Sequence, residues 1–199
     1  MSTSVEVEHA FELEPRIKVA RARACVLLLI ISDALSVVAI IAGSQYLKTL
    51  NTEGQYQVAG DYAPKFVYGL LVMIGLLLSG LAYYLWDRKA SKAGETGQSV
   101  FFLISLLIMI AAAVGETWIG ATLAYPVPIQ AYESVHFFIT WFTAVHLWLA
   151  AVIGILVVGR ILRGRIGGGH EFVAEVTGWW WYYTVIASIL LWLFATFLT

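Results

Sequence analysis

Apolar positions in this chain do not alternate with polar ones. They gather into five long runs, at about residues 24–47, 66–86, 99–125, 134–159 and 179–198. A helix rises ~1.5 Å per residue and the hydrocarbon core of a bilayer is ~30 Å thick, so about 20 residues cross it. Each run meets that length. No water is available inside lipid to satisfy backbone amides, so such runs must be helical. A β-barrel would show alternating polarity along each strand, and these runs are continuous. The pattern predicts an all-α integral membrane protein with five transmembrane helices, spanning residues 24–199.

The gaps between the runs carry the charge. Residues 1–23 are polar, with Glu6, Glu8, Glu12 and Glu14 ahead of Pro15 and then Arg16, Lys18, Arg21 and Arg23. They read as a tail ending in a basic collar at the membrane surface. The first apolar run is too long for the core of a signal peptide and ends without a small-residue cleavage site, so it is expected to remain as a span. Arg88, Lys89 and Lys92 follow the second run, and Arg160, Arg163 and Arg165 follow the fourth. The opposite side has only Lys48 and Lys65. Basic residues accumulate on the cytoplasmic face. The N-terminus is therefore expected in the cytoplasm, and five crossings put Thr199 outside.

Composition agrees. Apolar and aromatic residues make up 60% of the 199 positions, and charged residues 13%. A soluble domain of this size would expose too much apolar surface. The net charge of −1 points to no partner, and nothing suggests nucleic acid. Cys25 is the sole cysteine and forms no internal disulfide. The loops are informative in shape only. Residues 48–65 form a mixed polar loop with Asn51, Glu53, Asp61 and Pro64. Pro126 and Pro128 stop the third helix and make the third and fourth neighbours. Gly167, Gly168 and Gly169 give a flexible point. No strand precedes this triplet and no Lys-Ser or Lys-Thr follows it, so it does not read as a phosphate loop.

Ionisable groups inside lipid are costly and each needs an account. Asp33 falls roughly 14 Å from the cytoplasmic end of its run, and His146 roughly 18 Å from the outer end of its own. In a core of ~30 Å the two share a depth. Asp33 is expected to be a protonated carboxyl bonded within the layer that holds His146, either as a structural group or as a proton-responsive one. His146 and Thr140 are expected to be packing partners rather than metal ligands, and Glu116 to bond to the fourth helix or to an interface water. Glu133 and His136 lie near the outer interface.

Metal chemistry finds no support in the residues. His9 and His170 lie outside the runs. His136 and His146 share one run and stand about 15 Å apart, so they cannot clasp one haem. Cys25, Met73 and Met109 are scattered and make no copper site. No catalytic residue is assigned. Trp179, Trp180, Trp181, Tyr182 and Tyr183 stand at the cytoplasmic start of the fifth run. They read as a lipid-anchoring belt.

The order of motifs resembles subunit III of the haem–copper oxidases, in the five-helix form of bacterial cytochrome c and quinol oxidases. The resemblance runs over roughly residues 24–199. Ser32-Asp33 in the first run is similar to the family's Ser followed by Glu or Asp, its buried, carbodiimide-reactive carboxylate. Leu76-Leu77-Leu78-Ser79-Gly80 is similar to its Leu-Ser-Ser/Gly helix. Gly115-Glu116-Thr117-Trp118 resembles its Gln-x-x-Glu-Tyr/Trp. Phe137-Phe138-Ile139-Thr140-Trp141-Phe142-Thr143-Ala144-Val145-His146 resembles its Phe-Phe-x-Leu-Thr-Gly-Phe-His-Gly-x-His. Tyr182-Tyr183 through Leu193-Phe194 resembles its Tyr-Trp-His-Phe-Val-Asp helix. The chain departs from the pattern at Thr143, Ala113, Thr184 and Ala187, where the family has His, Gln, His and Asp.

The resemblance implies an accessory subunit with no redox centre, placed in a bacterial or archaeal inner membrane. Such a subunit packs beside the catalytic subunit I and the other oxidase subunits. It binds phospholipid in its grooves and helps supply protons. Haem and copper belong to the partner. The accessory subunit of a nitric oxide reductase is a close variant, and a small transporter or channel with Asp33 and Glu116 lining a path is an alternative of another class. The small residues Ala39, Gly43, Gly75, Gly80, Gly154 and Gly159 are expected to allow close helix contact.

Overall fold

A computed structural model describes residues 15–51, 56, 66–90, 99–122, 131–163 and 172–197. All regular structure among them is helical. There are five helices: α1 (Pro15–Thr49), α2 (Phe66–Ala90), α3 (Ser99–Thr122), α4 (Ala131–Leu162) and α5 (Phe172–Phe197). Each is long and apolar enough to cross a membrane. The chain is a multi-pass membrane protein. Pro64, Pro126, Pro128, the Gly167–Gly169 triplet and the acidic part of the N-terminal tail lie outside the described residues.

The helices outlast the apolar runs, for local reasons. α1 begins at Pro15, so the basic collar of Arg16, Lys18, Arg21 and Arg23 is helical rather than tail. Proline suits a first helical position, where its missing N–H costs nothing, and Arg, Lys and Ala are strong helix formers. At 35 residues α1 is about 52 Å long, which exceeds the hydrocarbon thickness. α5 begins at Phe172, seven residues before its apolar run, with Glu175 in the first turn where an acidic group favours the helix dipole.

Helices α2 to α5 close into a ring in which α2 packs on α3, α3 on α4, α4 on α5 and α5 on α2. α1 lies outside this ring, against α5 and, less extensively, α4. One core fills the ring, with Leu76, Tyr83, Phe102, Met109, Leu147 and Trp181 essentially inaccessible. A lattice of polar atoms pins it. Ser79 Oγ and Ser105 Oγ each donate to the other's backbone carbonyl, at 2.8 and 2.7 Å, and Trp181 Nε1 donates to Ser79 Oγ at 3.1 Å. Tyr83 O–H donates to the Ala174 carbonyl at 2.8 Å. In lipid, polar and van der Waals contacts of this kind hold helices together, because tails are as apolar as leucine.

Trp180 and Trp181 therefore do not form an interface belt. Both are buried inside the bundle, Trp181 completely. The helix starts seven residues earlier than the apolar run, which moves the aromatic cluster two turns down into the protein. Trp179, Tyr182 and Tyr183 are half-buried.

The small residues divide as well. A Cβ on Gly154 would lie 2.7 Å from Leu106 Cδ1 and 3.1 Å from Trp181 Cζ3, so this glycine lets α3 and α5 reach α4. Gly75 and Gly80 face neighbours at ordinary van der Waals distance. Gly43 and Gly159 meet nothing, and Ala39 is exposed. The tight spacing falls elsewhere, at Gly69 under the indole of Trp192 and at Gly178 beside Tyr83.

Leu28, Ile31, Leu35 and Val38 on α1, Leu71 and Leu77 on α2, Leu107 on α3, Leu156 on α4 and Leu190 on α5 are all exposed. Such a surface is stable only against lipid or another apolar chain. On α1 the half-buried and buried positions run Val19, Ala22, Val26, Ile30, Asp33, Ala34, Val37, Ile40, Ile41, Ser44 and Gln45. Steps of three and four residues make one stripe along the helix. The rest of α1 is uncovered by the described residues.

Candidate functional site

Asp33 sits in the middle of that stripe and is its one ionisable member. Its carboxyl faces the groove between α4 and α5. His146 Nε2 lies 2.9 Å from Asp33 Oδ1, and Tyr183 O–H donates to Asp33 Oδ2 at 2.6 Å. The residues placed in one layer by depth alone are thus in direct contact. Each side chain of the pair is 15% exposed. The Phe142 ring, with its centroid 4.2 Å from that of His146, and the indole of Trp180, stacked at 6.1 Å, crowd the imidazole.

The other imidazole nitrogen fixes the proton count. His146 Nδ1 lies 2.7 Å from the Phe142 carbonyl oxygen, one helical turn back. A carbonyl oxygen can only accept, so Nδ1 carries a hydrogen. Nε2 then has two options. As a bare lone pair it needs a proton on Asp33. As a second N–H it makes the ring cationic beside an anionic Asp33. In both cases the pair shares one proton and is net neutral, which is the arrangement a low-dielectric interior tolerates best. The unit can shift a proton between two atoms without changing its total charge.

A second polar region lies at the end of the bundle where α2 and α4 begin and α3 and α5 finish. Glu116 of α3 and His136 of α4 are buried, at 7% and 6% exposure. Glu116 makes no hydrogen bond to another described residue. Its expected bond to α4 is not formed. Instead it lines a cavity of about 280 Å³, together with Thr140, Thr143, Ser188 and Trp192. Thr140, expected as an intramembrane polar partner, is on this cavity wall. Tyr132, also on the wall, meets Tyr56 edge-on at 5.7 Å, and burial pushes the Tyr56 phenol above the ordinary tyrosine range. The neighbouring Thr117 accepts from Trp148 Nε1 at 3.0 Å and ties α3 to α4.

Three participants were not legible as such. Tyr183 was assigned to the interface because its apolar run starts at 179. The true helix start puts it level with Asp33. Glu133 and His136 are given only a depth by the sequence, near the outer interface, and the structure adds that both are buried, at 2% and 6% exposure. The acidic first turn of α4 is covered by neighbours that sequence distance does not reveal. The ion pair of Arg23 with Glu175, at 2.6 Å, joins the starts of α1 and α5, and it is half-exposed and so worth at most about 1 kcal/mol.

No family model matches the chain, and no curated protein matches it.

Proposed function

We propose that the chain is an accessory, non-redox subunit of a terminal haem–copper oxidase, built to pack beside the catalytic subunit and to hold a neutral proton-sharing pair in the membrane. One observation carries this reading. Asp33, His146 and Tyr183 are drawn from three separate segments that resemble the family's motifs, and they converge on one hydrogen-bonded cluster. Asp33 and His146 stand where the family's pattern has a carboxylate and a His, while Tyr183 stands where it has Trp. The uncovered face of α1 adds support, since it leaves an apolar surface with Ala39 and Gly43 for a partner helix. In this reading haem and copper belong to the partner, phospholipid covers the remaining surface, and the membrane is a bacterial or archaeal inner membrane with the basic ends of the helices inside.

Purification of the tagged chain from its native membrane tests this. Haem-bearing partners should co-elute, with the spectrum of an oxidase. Recovery without a haem protein overturns the proposal, and a nitric oxide reductase spectrum moves the chain to that sister complex.

One observation favours a second reading, a small solute carrier. The cavity lined by Glu116 is large for a packing defect and holds a carboxyl without a protein partner among the described residues. Saturable solute flux into proteoliposomes of the isolated chain would establish that reading instead.

A further inference from the structure

The two polar regions are neighbours. A small void lies beside the large cavity and is lined by Phe142, Thr143, His146, Thr184, Ala187, Ser188 and Leu191. Thr143 and Ser188 line both spaces. The void reaches the imidazole that holds Asp33. Its volume for a water centre is about 10 Å³, near the minimum that admits one water. Thr184 is 1% exposed, and its Oγ1 has no hydrogen-bond partner among the described residues. At the upper end Glu116 is likewise buried and unbonded among the described residues. Buried polar groups are seldom left unsatisfied, and an ordered water is the usual remedy. The exposed lining of the void is nearly all carbon, and the hydroxyls of Thr143, Thr184 and Ser188 are the polar groups that a water there would need.

We infer that water fills the Glu116 cavity and the void at Thr184, making a hydrated file that exchanges the Asp33–His146 proton with one end of the bundle. The file runs from Glu116 past Thr140, Thr143 and Ser188 to Thr184 and His146. Each hydroxyl on it both donates and accepts, so a proton entering at one end is matched by one leaving at the other. No electron moves and the pair keeps its net charge. The titratable groups facing the route are Glu116, Tyr132 and His136 in the cavity, and Asp33, His146 and Tyr183 at its inner end. No Lys or Arg lines it among the described residues. The inference concerns this chain alone and stands or falls independently of which complex contains it.

Deuterium exchange tests it. The chain, in detergent, is moved into heavy water, and the infrared bands of the Asp33 carboxyl and the His146 ring are followed, assigned with Asp33→Asn and His146→Gln. In the wild type the shared proton should exchange well ahead of the slowest backbone amides. Thr184→Val keeps the shape and Ser188→Ala adds no bulk, both remove hydroxyls from the file, and each should slow this exchange about tenfold while global amide exchange is unchanged. Thr184→Ser should restore the wild-type rate. Wild-type rates in both Thr184→Val and Ser188→Ala, or a pair that exchanges no faster than the core amides, overturns the inference. A melting temperature raised by Thr184→Val with exchange unchanged also overturns it, since that is the signature of a dry void losing an unsatisfied hydroxyl.

Discussion

His146 Nε2 lies 2.9 Å from Asp33 Oδ1 across 113 residues of sequence, and the opposite nitrogen of the same ring lies 2.7 Å from a backbone carbonyl of its own helix. The imidazole is therefore held at both ends. Its orientation is set by α4 and its charge state is tied to α1.

The first expectation concerns where the shared proton rests. Separated charges gain little from water here, so the neutral form, with the proton on Asp33, is favoured. An infrared spectrum at pH 7 should contain a protonated carboxylic acid band that vanishes in Asp33→Asn. An ionised carboxylate band removed by the same substitution would assign the proton to His146 instead.

Breaking the pair from one side leaves a buried polar group without its partner. Asp33→Leu should destabilise the helical bundle by roughly 1–2 kcal/mol and loosen α1 from α5. Asp33→Asn retains hydrogen-bonding capacity and should cost less. The double variant Asp33→Leu/His146→Leu should recover part of the loss, because no orphan remains. Thermal unfolding in detergent, with a cysteine crosslink between α1 and α5 as a second readout, checks the ordering of the three.

The serine clamp in the ring makes a separate demand. Ser79 Oγ accepts from Trp181 and donates to Ser105, and all three residues are fully buried. Ser79→Val should therefore cost about 1–3 kcal/mol, much of it from the stranded indole N–H. Trp181→Phe removes that donor and should make a subsequent Ser79→Val cheaper. Additive losses in this double-mutant cycle would show that the bond contributes nothing.

Glycines that look alike in sequence should behave differently. Gly154→Val forces Leu106 and Trp181 apart and should destabilise by roughly 1–3 kcal/mol. Gly159→Ala meets open space and should be neutral or stabilise slightly, since alanine is the better helix former. Melting temperatures in one detergent suffice for the comparison. Gly43→Ala should also be tolerated by the isolated chain, and a loss of partner co-purification with Gly43→Leu would place that position at the subunit contact.

Glu116 provides the reverse case, a buried carboxyl with no described partner to lose. Glu116→Gln should change stability by no more than about 1 kcal/mol in either direction. A loss of several kcal/mol would reveal a strong bond from a residue outside the described segments.

The sequence alone determined the five spans and the helical class, because lipid forces any long apolar run to satisfy its own backbone. It also determined that Asp33 and His146 share a layer, since helical rise converts residue number into depth. Rotation about each helix axis and the true helix ends follow from side-chain packing instead, and apolar length is silent on both. Tertiary structure thus moved Trp180 and Trp181 from the interface into the core and brought Tyr183 onto Asp33. It put Thr140 on the wall of the Glu116 cavity and left Gly43 and Gly159 facing outward. Depth is a one-dimensional quantity carried by the chain, whereas facing is decided only when five helices choose their neighbours.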